Sequence, residues 1–175
     1  MSTVAEILSD AVGRWTLAPE RSTFEFRNKT MWGTMTVKGQ FTEVRGEGRV
    51  TEAGAVSGRI DFIATSLHTG IGKRDEHLRS ADFFDVEKFP EVSVIVAAAE
   101  PADGDDVDLH AEIVIKGISH PLPLHAAVAV LEDEAVRVST RTSVDREELG
   151  VSGNLFGMLV GATELSADAV FVWTH

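Results

Sequence analysis

Apolar and polar residues alternate with a period of two along most of this chain. The alternation is regular around residues 24–26, 35–41, 60–64, 92–98, 107–115, 122–130, 136–142 and 165–173. A period of two is typical of a strand that packs one face against a core and exposes the other to water. Turn sequences rich in Gly, Pro and Asp separate these segments. The pattern predicts about eight strands joined mostly by short turns.

Two segments show helical spacing instead. Residues 3–12 place apolar side chains three and four apart, and Thr3 with Glu6 matches a capping box, which predicts a short N-terminal helix. The charged segment at residues 74–84 predicts a second helix. Parallel strands would need more crossover helices than these two. The fold class is therefore all-β, and the antiparallel strands form either a sandwich or a closed up-and-down barrel.

The positions that face inward mix large side chains with small ones. The small ones are Gly39, Ala64, Ala98, Ala111, Ala126, Ala167 and Ala169. Small inward residues favour a barrel, because an eight-stranded barrel is wide enough to hold one small ligand. Phenylalanines of the same parity could equally fill those gaps, so composition alone leaves both interpretations open. We expect residues 13–175 to form one barrel domain and residues 1–12 to be a helical extension.

Composition and charge exclude several classes of function. The chain has no cysteine, which excludes disulfides and thiolate-bound metals. Its formal net charge of −12 argues against a nucleic-acid-binding surface, which needs clustered Lys and Arg. No apolar stretch has the length of a membrane span, and the first twelve residues lack the basic start of a secretory signal. These features predict a cytoplasmic protein.

Candidate chemistry is sparse. No pair among the six histidines has the spacing of a helical metal site, and no serine lies in a nucleophile elbow. We predict no catalytic residue, no metal ligand and no cofactor. An alternative is an enzyme acting on a small apolar substrate with His77 or His125 as base, although His125 has outward parity. The glycine-rich segment at residues 149–163 suggests either a gate formed by Leu155, Phe156 and Met158 or a loop that plugs the end of the barrel.

The charged segment also carries a family resemblance. Residues 74–85, read together with Phe89-Pro90, resemble the signature of the YceI-like family of lipocalin-like proteins. Weaker matches follow the family's order, and they lie at residues 13–17, 37–41, 66–69, 115–121 and 144–150. The resemblance as a whole extends over about residues 13–173, which is nearly the whole chain.

The resemblance implies an extended lipocalin-like barrel whose apolar interior holds a long isoprenoid, such as a polyprenyl phosphate or a quinone tail. It also implies a homodimer, and related proteins are often periplasmic. We therefore predict a non-enzymatic protein that binds, carries or stores such a ligand, with Arg74 near its head group. The predicted wall residues are Phe24, Phe26, Val37, Phe41, Phe62, Val94, Ile113 and Phe171. A ligand-free dimeric module, whose own side chains fill the barrel, is a further alternative.

Overall fold

The computed structural model describes residues 10–30, 36–70, 72–79, 85–145, 148–149 and 159–174. Within these residues twelve strands form one antiparallel sheet. The strands are β1 (Gly13–Leu17), β2 (Thr23–Thr30), β3 (Thr36–Phe41), β4 (Val44–Val50), β5 (Val56–Ile63), β6 (Leu67–His68), β7 (Glu91–Pro101), β8 (Asp106–Ile115), β9 (Ile118–Pro121), β10 (Leu124–Leu131), β11 (Ala135–Val144) and β12 (Leu159–Thr174). A helix, α1 (Gly72–Arg79), follows β6.

The sheet closes into a barrel of eight strands. Hydrogen bonding follows the order β1-β4-β5-β7-β8-β10-β11-β12, and β12 pairs back to β1 with Trp15 opposite Trp173. Full closure satisfies the main-chain groups that the edges of an open sheet would leave unpaired. The predicted all-β barrel is confirmed, and the sandwich interpretation is wrong.

Three of the remaining strands lengthen the barrel at one end. Strand β2 pairs with β12 beyond the part that pairs with β1, so β1 and β2 occupy one position in the wall. The 3-10 turn Pro19–Arg21 separates them. Strand β3 pairs with β2 and continues the wall beyond β4 in the same way. Strand β6 pairs with β3 and continues the wall beyond β5. The barrel is therefore taller on this side, which deepens its interior.

Charged side chains fasten the helix α1 to the barrel. Asp75 is 4% exposed and accepts hydrogen bonds from the main-chain N–H of Thr69, at 3.0 Å, and from the Thr69 hydroxyl. Arg79 donates from Nη2 to the carbonyl oxygen of Leu67 at 2.7 Å. The helix predicted at residues 74–84 begins earlier, at Gly72, and is described as far as Arg79. Residues 80–84, and residues 1–9 of the predicted N-terminal helix, lie outside the described residues.

A bulge changes the parity of β7. The pairing with β8 shifts between Val96 and Ala98, so that Ala99 rather than Ala98 lines the interior. The extra residue of a bulge reverses which face later residues occupy. Ala98 was expected to face inward from strict alternation, and that expectation is wrong.

The core lies along the inward faces of the strands. Its largest cluster of buried side chains comprises Leu17, Phe24, Phe62, Leu67, Val92, Ile113, Ile115, Leu122, Leu149 and Ala169. Burial of one such large apolar side chain contributes about 1.5–3 kcal/mol. A separate cluster of Ala11, Trp15 and Val50 lies at the end of the barrel where β1 and β12 pair.

Candidate functional site: an apolar cavity inside the barrel

The barrel encloses a cavity of about 350 Å³. Each of the eight strands of the closed ring contributes lining residues, from Trp15 on β1 to Phe171 on β12. Pockets that hold small molecules usually measure about 300–1,000 Å³, so this cavity has the size of a ligand site. The barrel is not filled by its own side chains, which disfavours the interpretation of a ligand-free module.

Most of the predicted wall residues line this cavity. They are Phe24, Phe26, Phe41, Phe62, Val94, Ile113 and Phe171. The main chain of Val37 pairs with Asn28 in the β2–β3 ladder, but its side chain lies outside the described residues. Alternation located these residues because each follows the two-residue period of its strand without interruption.

Four phenylalanines form a connected aromatic surface in the wall. Phe24 and Phe62 make an edge-to-face contact with ring centroids 5.0 Å apart and planes at 84°. Phe41 lies 5.5 Å from Phe62 and 6.1 Å from Phe26. Tilted and edge-to-face arrangements are those that aromatic quadrupoles favour. The four rings thus form one continuous part of the cavity wall.

Glycines determine how close the wall comes to the cavity axis. A Cβ at Gly39 would lie 2.3 Å from Cζ of Phe26, so this glycine makes room for the Phe26 ring. Gly48 on β4 also lines the cavity, directly opposite Gly58 on β5. A Cβ at Gly48 would meet no atom closer than 3.6 Å. The Gly48–Gly58 pair therefore leaves space that a ligand can occupy.

The two ends of the cavity differ in chemistry. At one end, the indole of Trp15 donates to the carbonyl oxygen of Ala11 at 2.8 Å, and Val50, Val56 and Val136 complete an apolar wall. At the opposite end lie Asn28 and Thr163, both buried and joined by a hydrogen bond from Thr163 Oγ1 to Asn28 Oδ1. A ligand would therefore meet hydrocarbon along most of the cavity and polar groups near one end.

Several lining residues were not among the predicted wall residues. They include Trp15, Leu109, Leu124, Val138 and Leu165, together with the polar residues Asn28, Thr140, Thr142 and Thr163. The two-residue alternation could have located the apolar residues among them, since each shares the parity of a neighbouring inward position. Asn28 shares the parity of Phe24 and Phe26, but a polar residue at an inward position is easily interpreted as the end of a strand.

Other predicted residues lie beyond what the structure describes. The main chain of Arg74 is part of the helix α1, but its side chain lies outside the described residues. The predicted gate residues Leu155, Phe156 and Met158 also lie outside them. The head-group contact and the gate stay predictions.

The histidine considered as a base lies on the outer face of the barrel. His125 Nδ1 is 2.7 Å from Asp108 Oδ1, and Nε2 is 3.1 Å from Asp106 Oδ2. Hydrogen bonds to Asp108 and then to Asp106 raise the pKa of His125 above its ordinary value. Both ring nitrogens are engaged outside the cavity, which does not fit a base acting on a substrate inside it. The side chain of His77 lies outside the described residues.

The described residues hold no group of three or more His, Asp or Glu side chains arranged to bind a metal ion. No helix among the same residues is long and apolar enough to cross a membrane.

A family model described as the YceI-like domain matches residues 15–171. The chain belongs to this family. A curated relative, Protein YceI from Escherichia coli O17:K52:H18, is 34% identical over 67 residues, which are 38% of this chain and 35% of the relative. The match to Protein YceI from Escherichia coli O157:H7 is 33% identical over the same length. This YceI-like chain thus spans about a third of the length of the curated relatives it matches.

Solved structures share the YceI-like fold. BcnA from Burkholderia cenocepacia matches with a TM-score of 0.78 at 15% identity, over 88% of this chain and 98% of that one. A polyisoprenoid binding domain from Saccharophagus degradans matches with a TM-score of 0.76 at 16% identity, over 91% and 98% of the two chains. At these identities the similarity establishes the fold.

Proposed function

We propose that this chain binds and carries a long apolar ligand of isoprenoid type inside its barrel, without catalysing a reaction. The observation that carries the proposal is the cavity itself, which is bounded by aromatic and aliphatic side chains along most of its length. The related polyisoprenoid binding domain of similar fold supports this choice of ligand class.

The energetics of such a cavity favour a chain of several isoprene units. Each buried CH₂ contributes about 0.8 kcal/mol, so one five-carbon unit contributes roughly 3–4 kcal/mol. Association and ordering of the ligand cost about 4–15 kcal/mol. A single unit cannot offset that cost, whereas several units can do so without any charged contact. The ligand would therefore be selected mainly by the length and shape of its chain.

The first test asks what the protein carries. Native mass spectrometry of protein purified from its own host should show a bound apolar molecule, which extraction and fragmentation would identify. The same protein, stripped of ligand, should bind farnesol or geranylgeraniol in a titration. A protein that is purified without a bound ligand and then binds neither alcohol would contradict the proposal.

The second test reduces the cavity volume by introducing larger side chains at a lining position. Gly48→Ala and Gly48→Leu place progressively larger side chains in the space beside Gly58, its partner on the neighbouring strand. A Cβ at Gly48 is tolerated there. We expect affinity for geranylgeraniol to fall modestly in the first variant and at least tenfold in the second, because the leucine occupies ligand space. Ala129→Leu is the matched control, since it adds a leucine at an exposed position of β10. Equal affinities in Gly48→Leu and Ala129→Leu would place the ligand elsewhere.

A further inference from the structure

The cavity contains one buried polar contact that the apolar ligand site does not explain. Asn28 on β2 is 4% exposed and Thr163 on β12 is 8% exposed, and the two side chains are hydrogen-bonded to each other. Both line the cavity. A buried polar pair costs more to desolvate than two hydrocarbon side chains of the same shape, so it contributes little stability on balance. Such a pair is better suited to selecting a ligand than to stabilising the fold.

The polar pair lies at one end of the cavity, so the two ends of the cavity are chemically different. Thr163 is opposite Val144, the last residue of β11, whereas Trp15 is opposite Trp173 near the other end of β12. Thr142, two residues before Val144, also lines the cavity. The polar side chains Asn28, Thr142 and Thr163 therefore lie toward one end, and the side chains around Trp15 at the other end are apolar.

The chemistry of the pair indicates a neutral terminus with a hydrogen-bond donor. Thr163 gives its proton to Asn28, and its oxygen then retains lone pairs that can accept from an O–H or N–H group. A charged terminus would need a cationic partner, because burial of an unpaired charge is far more costly than burial of a hydroxyl.

The arginines that border the cavity do not supply such a partner. Arg49 and Arg59 alternate with the inward residues of β4 and β5, and both side chains are exposed. The guanidinium of Arg59 is also bound to Asp61, with Nε 2.8 Å from Oδ1. Among the described residues, the inward side chains of the lining include no Lys or Arg. The described wall therefore favours a neutral terminus over a phosphate.

We propose that Asn28 and Thr163 recognise the terminus of the ligand, and that the site prefers a chain ending in a hydroxyl or amide over the corresponding hydrocarbon or phosphate. The inference rests on the proposed binding function and adds the head-group class and the orientation. The hydroxyl or amide lies at the Asn28–Thr163 pair, and the chain runs toward Trp15.

The test compares farnesol, farnesene and farnesyl phosphate, which share one carbon skeleton, by calorimetric titration of the stripped protein. One net hydrogen bond predicts that farnesol binds about three- to tenfold more tightly than farnesene. Farnesyl phosphate is expected to bind more weakly than farnesol. In the double variant Asn28→Leu/Thr163→Val, we expect the ratio of farnesol to farnesene affinity to fall to about one, with farnesene binding retained. Removing both partners avoids leaving one buried polar group unsatisfied.

Two further variants make the outcome specific. Thr16→Val/Thr174→Val removes a hydroxyl pair, with oxygens 2.6 Å apart, from the exposed face, and it should keep the wild-type preference for farnesol. Thr163→Val alone should lower that preference even if the double variant folds poorly. A wild-type preference that survives in the Thr163→Val or double variant would overturn the inference, and so would tighter binding of farnesyl phosphate than of farnesol. Equal wild-type binding of farnesol and farnesene contradicts this inference alone, whereas binding of neither contradicts the proposed function as well.

Discussion

At the scale of single residues, inward glycines have two different roles in this barrel. Position 39 favours glycine, because the ring of Phe26 occupies the space that a larger side chain would need. Gly48 has no such neighbour and leaves its space to the cavity. The two positions are alike in sequence, since both lie on inward faces of strands, and only the packing around them distinguishes them.

Substitution of these two glycines by alanine should therefore have different effects. Gly39→Ala places a Cβ within 2.3 Å of Phe26 Cζ, which must push the ring toward the cavity. We expect a loss of about 1–2 kcal/mol in the free energy of unfolding, as for other overpacked sites. Gly48→Ala should be neutral or slightly stabilising, because alanine suits a strand better than glycine. Urea unfolding of both variants measures the difference, and equal stabilities would show that Phe26 does not pack against Gly39.

Some inward residues follow from the two-residue alternation of the sequence, and others do not. Phe24, Phe62 and Ile113 could be assigned to the wall because alternation requires only that a strand be regular. Ala98 was misassigned because a bulge adds one residue without any signal in the neighbouring side chains. Asn28 was missed because its polarity contradicts its parity, and it accepts a hydrogen bond from Thr163, which is far away in sequence.

At the scale of elements, a polar network on the outer face joins the strands β4, β5 and β7. Asp61 on β5 is 9% exposed and accepts from Ser93 Oγ at 2.6 Å and from Arg59 Nε at 2.8 Å. Arg45 on β4 lies 3.7 Å from Asp61 and also pairs with Glu91 on β7. The carboxylate thus connects the strands near the last residues of β5 and the first residues of β7, where Asp61 is opposite Ser93.

The environment of Asp61 makes this connection dependent on pH. Burial alone would raise the pKa of Asp61, but hydrogen bonds from Ser93 and Arg59, with the charges of Arg59 and Arg45, outweigh it and lower the pKa below 3.8. A carboxyl group whose pKa is lowered on folding stabilises the protein above its unfolded pKa, and this contribution is lost as pH falls through the folded pKa.

The variant Asp61→Asn should reveal that dependence. We expect it to be about 1–2 kcal/mol less stable than wild type at pH 7, because it loses the charge-assisted hydrogen bond from Arg59 and the ion pair with Arg45, both of which are partly exposed. The difference should shrink as pH falls below the unfolded pKa of about 3.9, because the unfolded chain then binds a proton, and it is lost as pH falls through the lower folded pKa of Asp61. Urea unfolding at pH 7 and at lower pH checks this, with Glu52→Gln as an exposed control. A stability difference that stays constant with pH would mean that the charge of Asp61 is not involved.

At the scale of the whole molecule, closure of the barrel couples ligand binding to folding. The lining is drawn from every strand of the ring, so unfolding of the barrel destroys the cavity as a unit. A ligand that binds only the folded barrel stabilises it by an amount set by its concentration relative to the dissociation constant. The net charge of −12 adds a second property, because it repels anionic ligands at low ionic strength and leaves neutral ones unaffected.

Thermal unfolding with and without a neutral ligand should show the coupling of binding to folding and its independence of salt. Farnesol at about a hundred times its dissociation constant should add about 2.7 kcal/mol. For a chain of this size that free energy corresponds to a rise in Tm of roughly 5–10 °C. The rise should be the same at low and high salt, because burial of apolar surface rather than charge pairing drives the binding. Gly48→Leu should show little of the rise while Ala129→Leu shows all of it. A rise that disappears in high salt would indicate that a charged surface, rather than the apolar cavity, holds the ligand.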